Sequence, residues 1–473
     1  MIKRILLINP PHTLKKNTGT IDANPPLGLA YLAAVIRDHY DVRICDAVIE
    51  GIDNRVFHEN EQMTVGLSDN DILSQIRDFA PDVIGVSSMF SDQYHNAHRM
   101  CELAKKVSMR IVTVMGGAHA SYNKITVMQD KNVDYVIVGE GEESFGNLLS
   151  NIDNNTPVDS LDGLCWRRSN GDVNCNPKTS FIEDLDLIPF PAHDLLPMDK
   201  YSRYTKHRGL SKGSTYCSVI TSRGCPAKCI FCSIHSVWGK SYRMRSPENV
   251  IAEINHLRTH YSIDEIAFED DNLTYDKNRA MAIFDLLIEN KLDISWSTPN
   301  GVALWSLDTQ VLDKMRDSGC FSVVLAVESG DQKVLSKLLR KPLNLKKVEN
   351  LIHYAKKIGL ETGGLFVIGA PGETIQQMHR TIKYMFKLPF SHRYLSILTP
   401  YPGTQLWDIC KKNGYVSSDI DLRELKLYQA NISTTEFNAE DVQKIYNLAQ
   451  RAINRRRIFY AIVKRIKNAF KKN

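Results

Sequence analysis

Eleven short apolar runs alternate with helix-like stretches along most of the chain, and this alternation limits the fold more than any other feature. Five runs precede residue 150: Arg4 to Ile8, Val42 to Cys45, Val83 to Ser87, Ile111 to Met115 and Tyr135 to Val138. Runs of this kind joined by helices read as a parallel sheet covered on both faces. Six more begin at Cys217, Glu265, Ile294, Ser322, Gly364 and Tyr394, separated by helical patterns at 247–259, 277–289, 308–317, 345–357 and 374–386. Six repeats are too few for a closed eight-fold barrel, so a partial barrel is expected. The predicted fold class is α/β. A doubly wound, flavodoxin-like domain spans 1–150, a hairpin and connecting strap 151–212, a partial (β/α)6 barrel 213–410 and a helical basic tail 411–473.

The chemistry is concentrated in CSVITSRGCPAKCIFC, residues 217 to 232, where Cys225, Cys229 and Cys232 stand in a Cys-x3-Cys-x2-Cys loop directly after a strand. Three thiolates this close can wrap one corner of a cluster, whereas a closed zinc or ferredoxin-type site takes four ligands. With no fourth ligand nearby, one iron of a four-iron cluster would stay open. Gly224 lets the backbone turn tightly, Pro226 removes an amide, and Phe231 places its backbone where a planar group could meet it. The alternatives are a zinc knuckle with a distant fourth ligand, or three unrelated packed cysteines.

The loop with its preceding Ser222-Arg223-Gly224 resembles the radical S-adenosylmethionine (SAM) superfamily. That resemblance implies a [4Fe-4S] cluster on Cys225, Cys229 and Cys232, with SAM chelating the open iron. Later strand ends continue the likeness in order: Glu269-Asp270-Asp271-Asn272, Glu328-Ser329-Gly330, the Gly364 to Glu373 stretch through Gly369, and Pro400 to Thr404. A carboxylate among the first four residues could receive the SAM ammonium. Glu328 and Ser329 could bond its ribose or carboxylate, and Gly369 lets the backbone approach a purine. For each motif a solvated turn is the competing reading. Pro299-Asn300-Gly301 and His235 to Gly239 are either substrate contacts or turns.

In the first domain, ligands of such sheets bind beyond the carboxyl ends of the strands. Those ends carry Ser87-Ser88, Gly116-Gly117-Ala118-His119 and Gly139-Glu140-Gly141-Glu142, and no Gly-x-Gly-x-x-Gly follows the first strand. An ordinary flavodoxin-like domain without cofactor would also satisfy this pattern. Together with Pro25 to Ala33, which contains Leu27 and Gly28, the motifs resemble the cobalamin-binding domain that precedes many radical SAM cores. The resemblance implies cobalamin contacts from Leu27, Gly28, Ser87, Ser88, Gly116, Gly117, His119, Gly139, Glu140, Gly141 and Glu142. The Asp-x-His-x-x-Gly string of methionine-synthase-like domains is absent, so His95, His98 and His119 are not expected to ligate cobalt.

Ser169-Asn170-Gly171-Asp172 reads as a hairpin with a two-residue turn at Asn170-Gly171. That turn sets Trp166 opposite Cys175 and leaves Cys165 one residue out of register, so a disulfide is not expected. Cys45, Cys101, Cys165, Cys175, Cys217, Cys320 and Cys410 are expected as packed thiols in a reducing cytoplasm. Phe181 to Tyr201, with three prolines, reads as an extended strap. Residues 441–473 hold ten Lys or Arg and one Asp, so that segment carries +9 and the remainder −4 of the net +5. The body is therefore not a nucleic-acid platform. Ile445, Leu448, Ala452, Phe459, Ile462, Ile466 and Phe470 recur at helical spacing in the tail, either docked on the core or lying on an anionic membrane surface.

The resemblance implies a cobalamin-dependent methyltransferase acting on an unactivated carbon, or on a phosphinate phosphorus, through a 5′-deoxyadenosyl radical and methylcobalamin. It also implies a small-molecule substrate and a one-electron donor of flavodoxin or ferredoxin type. The alternatives are radical cyclisation or rearrangement without methyl transfer and, from another class, a non-enzymatic cobalamin or redox sensor.

Overall fold

The computed structural model describes residues 1–16, 23–59, 61–204 and 212–470, with the backbone alone at 202, 203 and 457–470. The chain divides into two compact units, residues 1–226 with 233–267 and residues 227–232 with 268–473.

The first unit is built on a seven-stranded sheet. From one edge its strands are Val173–Cys175, Leu164–Arg167, Tyr135–Ile137, Val112–Gly116, Val83–Ser87, Arg4–Asn9 and Asp41–Asp46. The last five are parallel neighbours and coincide with the five predicted runs. Ile5, Leu6, Leu7 and Ile8 are all buried, which explains why this strand is apolar without alternation. The helix Asp69–Phe79 starts on a capping box formed by Ser68 and Asp71, and buries Ile72, Ile76 and Phe79 against the sheet's core. A small antiparallel sheet of His12–Lys15, Gln62–Val65 and Arg55–Phe57 was not predicted, because its three- and four-residue strands carry too little pattern to read.

The hairpin differs from expectation. Val173 faces Arg167, Asn174 faces Trp166 and Cys175 faces Cys165. Arg168 N donates to Asp172 O at 2.8 Å and Gly171 N to Arg168 O at 2.9 Å, so Ser169, Asn170 and Gly171 form a three-residue turn. Gly171 closes it at φ +91°, a left-handed conformation that suits glycine. The extra turn residue shifts the register by one. Cys165 and Cys175 then face each other and form a disulfide, not two packed thiols.

The second unit holds Ser295–Val302, Cys320–Glu328, Glu361–Ile368 and His392–Ile397 as successive parallel neighbours. With Tyr216–Val219 and Glu265–Phe268 these are the six strands predicted for the core. The fully buried Trp296 stacks on Phe284 at 5.0 Å and meets the edge of Phe268 at 5.2 Å. The helices Lys277–Glu289, Thr309–Asp317, Leu345–Lys357, Ile375–Lys387 and Gln405–Lys412 are N-capped by Asp276, Asp308, Asn344, Thr374 and Thr404. Each cap satisfies an amide that the first helical turn leaves open, which makes these starts readable locally.

Of the tail predicted as helical over 411–473, the stretch 413–438 holds only the short 3-10 turn Leu422–Glu424, and the long helix is Ala439–Phe470. Its docked face carries Val442, Ile445, Ala449 and Ile453, while Leu448, expected on that face, is 63% exposed. Arg456 donates to Phe386 O and lies over the Phe386 ring at 4.9 Å, fixing the helix to Ile375–Lys387. The predicted positions Phe459, Ile462, Ile466 and Phe470 have side chains outside the described residues. No helix among the described residues is long and apolar enough to cross a membrane.

Candidate functional site

The cysteine loop leaves a short antiparallel pairing of Ser222–Arg223 with Arg243–Met244. Gly224 follows at φ +88°, and a Cβ there would fall 2.2 Å from Ser241 O, so only glycine allows this close crossing. His235 Nε2 lies 2.8 Å from Cys225 O and holds the loop's entry. In the second unit, Ile230 anchors the far side of the loop. It is 4% exposed, its amide donates to Leu339 O at 3.2 Å, and its carbonyl accepts Leu406 N at 2.8 Å.

Among the described residues, Cys225, Cys229 and Cys232 are the free cysteines that are not buried. Burial pushes the thiols of Cys45, Cys101, Cys217 and Cys320 well up, and that of Cys410 up to about 12, so these are inert packing groups. No three His, Cys, Asp or Glu side chains among the described residues converge on one metal-ion position. Three unburied thiols on one short loop are the donor type an iron–sulfur cluster takes, one to each of three irons.

Glu140 and Glu142 are placed where the sequence did not suggest. Arg223 reaches Glu140 at 3.2 Å and Glu142 at 2.6 Å, and Arg243 reaches Glu140 at 2.7 Å. All four side chains are at most 8% exposed. The strap joins this cluster, since Ile182 N donates to Glu140 and Arg243 donates to Ile182 O. Burial raises the Glu142 carboxyl, but Arg223 outweighs it and holds the group below the usual carboxylate range. These carboxylates bind arginines that flank the cysteine loop and do not line an open rim. The strap therefore supports the loop as well as connecting the domains.

The other strand-end residues of the first unit separate into two groups. A Cβ at Gly117 would meet Ser88 O at 2.8 Å, at Gly139 Val237 O at 3.1 Å and at Gly141 Leu32 at 3.1 Å, so these glycines serve the chain's own packing. At Gly28 it would meet nothing within 4 Å, and at Gly116 only Ile137 O at 4.0 Å. The Ser88 hydroxyl beside Gly116 is buried with no protein partner, while Ser87 is half-buried and Leu27 buried. Open backbone and an orphaned hydroxyl fit a flat polar-rimmed ligand such as a corrin. His119 lies 3.0 Å from Ser91 Oγ and stacks on Tyr94 at 5.7 Å. Burial lowers its pKa to about 4, so it is a neutral packed imidazole.

In the second unit, Asn300 donates to Glu269 O at 3.0 Å and Asn272 Oδ1 accepts Ala303 N at 3.3 Å. Asn300-Gly301 is thus neither a loop nor a turn but an irregular stretch of the strand Ser295–Val302 that braces the acidic motif. Asp270 is buried, Glu269 half-buried and Asp271 exposed. Ser329 spends its hydroxyl inside the fold, 2.9 Å from Thr381 Oγ1. Glu328 pairs with Lys341 at 2.8 Å. Phe231 is half-buried.

Gly369 turns at φ +91°. Its amide and that of Ala370 donate to Glu373 Oε2 at 2.8 and 3.0 Å, and the other oxygen of this fully buried carboxyl has no protein partner. Burial outweighs the two amide bonds and pushes the Glu373 carboxyl up to about 7. A folded-state pKa above the unfolded one means stability that is complete below the ordinary carboxylate range and lost as pH rises through about 7. Glu373→Gln keeps both amide bonds without the titration. It should flatten stability against pH in that window and be more stable at pH 8 by on the order of 2 kcal/mol, as read by urea unfolding. An unchanged pH slope would contradict this.

Arg223, Arg243, Lys341 and Glu373 were not among the predicted site residues. Arg223 and Glu373 stand inside the quoted motifs, but nothing local marks Arg243 or Lys341.

Residues 22–149 match the family model of the B12 binding domain and residues 219–385 that of the radical SAM superfamily. The chain is 35% identical to the cytidylyl-2-hydroxyethylphosphonate methyltransferase of Streptomyces wedmorensis, over 96% of this chain and 90% of that protein. It is 33% identical to an uncharacterized methyltransferase of Pyrococcus horikoshii, over 95% and 92%. In fold it is similar to the radical S-adenosylmethionine methyltransferase TsrM of Kitasatospora setae, solved with cobalamin and a [4Fe-4S] cluster (TM-score 0.70, 15% identity, 88% of this chain and 76% of that). It is likewise similar to the cobalamin-dependent radical enzyme OxsB (TM-score 0.72, 14% identity, 95% and 66%). Two domain families in this order, together with identity of this extent, show that the chain belongs to the cobalamin-dependent radical SAM family.

Proposed function

We propose that this enzyme is a methyltransferase that moves a methyl group from SAM through cobalamin to an unactivated carbon, with a phosphinate phosphorus as the other acceptor of the same chemistry. The observation that carries the reading is the 35% identity to a methyltransferase across 96% of the chain. Bound in this fold, a [4Fe-4S] cluster supplies the electron that cleaves one SAM and cobalamin supplies the methyl group.

The chain's own residues bind, orient and shield. Cys225, Cys229 and Cys232 are proposed as the cluster ligands, with Glu269 and Asp270 receiving the SAM ammonium. Asn272 and Ser329, both engaged inside the fold, act as supports for that pocket. Glu328, paired with Lys341, would bond the SAM carboxylate or ribose, while the Gly369 turn, held by Glu373 and packed on Val442, would support the adenine end from behind. Phe231 offers its backbone to the same ligand. For cobalamin, Leu27, Gly28, Ser87, Ser88 and Gly116 form the cradle, while Gly117, His119, Gly139, Glu140, Gly141 and Glu142 shape it from behind. The functional division is 1–150 for cobalamin, 151–212 for the hairpin and strap, 213–410 for SAM and 411–473 for the tail. The reaction takes a small-molecule substrate and a flavodoxin- or ferredoxin-type donor in the cytoplasm.

The test is an anaerobic assay of reconstituted protein with cytidylyl-2-hydroxyethylphosphonate, the substrate class named for the Streptomyces relative. Methylated product with both 5′-deoxyadenosine and S-adenosylhomocysteine is expected. Deoxyadenosine with altered substrate but no methyl gain would replace the reading by cyclisation or rearrangement. Bound cofactors with no product from this compound would overturn the substrate class.

A further inference from the structure

Lys341 is a buried lysine that no motif announces. It is 7% exposed, and its Nζ donates to Glu328 Oε1 at 2.8 Å. The backbone around this pair is unusual on both sides. Glu328 and Arg340 hold left-handed conformations at φ +69° and +54°, which are strained for residues other than glycine. Val334–Leu338 is a π-helical turn, a form concentrated at functional sites. The Lys341 amide donates back to Leu335 O at 2.8 Å, so this turn fixes where the lysine stands.

The same segment touches the cysteine loop. Leu339 O accepts the amide of Ile230, which lies between Cys229 and Cys232. Lys341 stands two residues beyond Leu339, on the segment bonded to the loop between Cys229 and Cys232, and Glu328 first, then the thiols, counter the lowering of its pKa by burial. A strained, buried cation here is more than a fold needs. An ion pair of this kind is often neutral for stability against an apolar pair.

We propose that Lys341 is a positioning residue for the iron–sulfur chemistry: its ammonium, oriented by Glu328, raises the reduction potential of the cluster held by the cysteine loop. Reduction adds one electron, from the flavodoxin- or ferredoxin-type donor, to a centre that already carries negative thiolates. A fixed positive charge beside two of them favours that step. The inference rests on the cluster reading given above.

Iron and sulfide content, then an EPR-monitored redox titration without SAM, test it on anaerobic wild-type protein and on Lys341→Met, Lys341→Arg and Glu328→Gln. At a fixed applied potential, Lys341→Met should lower the ratio of reduced to oxidised cluster about tenfold, equivalent to about 59 mV for one electron. Lys341→Arg should restore the wild-type ratio, and Glu328→Gln should raise it. An ion pair serving only the fold would change the melting temperature in Lys341→Met and leave the potential in place, which overturns the proposal. If Lys341→Met binds no iron, Glu328→Gln decides: a raised ratio supports the proposal and an unchanged one overturns it. Wild-type protein that takes up no cluster overturns the cluster reading itself, and this inference with it.

Discussion

Cys225→Ala, purified and reconstituted without oxygen, loses its iron–sulfur absorption and EPR signal and forms no 5′-deoxyadenosine from SAM. The expected loss exceeds the roughly 10–100-fold in metal affinity that removing a residue merely supporting a ligand costs. The argument separates ligand loss from misfolding. Cys225 is only half-buried, and the contacts that hold its end of the loop, His235 to the Cys225 carbonyl and the crossing at Gly224, use backbone that alanine retains. Stability should therefore change by about 0.5 kcal/mol or less. Cys320→Ala is the control. That thiol is buried with its pKa pushed up, so its loss should leave iron content and product formation in place. Full iron in Cys225→Ala, or equal loss in Cys320→Ala, would remove the loop from the chemistry.

The sequence made the scaffold legible because strands and helix starts are set by neighbours. The Arg4–Asn9 strand is apolar from Ile5 to Ile8 because that stretch is buried on both faces, and Thr374 with Gln377 announces its helix within four residues. What stayed hidden depends on small local choices or long-range contact. One extra residue in the turn at Ser169 to Gly171 reverses the prediction for Cys165 and Cys175. In the tail, 445-448-452 and 445-449-453 are both acceptable helical spacings, and packing on the core selects the second. Glu142 and Arg223 are 81 residues apart, so no window could pair them. The glycine motifs were read as ligand cradles alike, yet only at Gly28 and Gly116 does the backbone face open space.

Arg223 is where this hidden layer has its largest effect on the fold. Its guanidinium is 4% exposed, bonds two buried carboxylates, and lies over Trp238 at 4.7 Å and Tyr31 at 5.5 Å. Arg223→Ala leaves Glu142 charged and buried without its partner, and should cost about 3–5 kcal/mol in urea unfolding. Arg223→Met with Glu142→Gln removes both charges together and should recover part of that loss, because an apolar or neutral pair does not carry the stranded-charge penalty. The acid limb gives a second readout. With its folded pKa depressed, Glu142 contributes stability that is present above the ordinary carboxylate range and lost as pH falls through the lowered value. Arg223→Ala should abolish that contribution, so wild type and variant converge in acid. The opposite slope assigned to Glu373, which loses stability as pH rises through about 7, leaves the two titrations separable in one pH series. Because Arg223 directly precedes Gly224 and Cys225, the same variant should also retain less iron than wild type at equal folded concentration. A variant of wild-type stability and full iron would show that the Glu140, Arg223 and Glu142 cluster does not hold the cysteine loop.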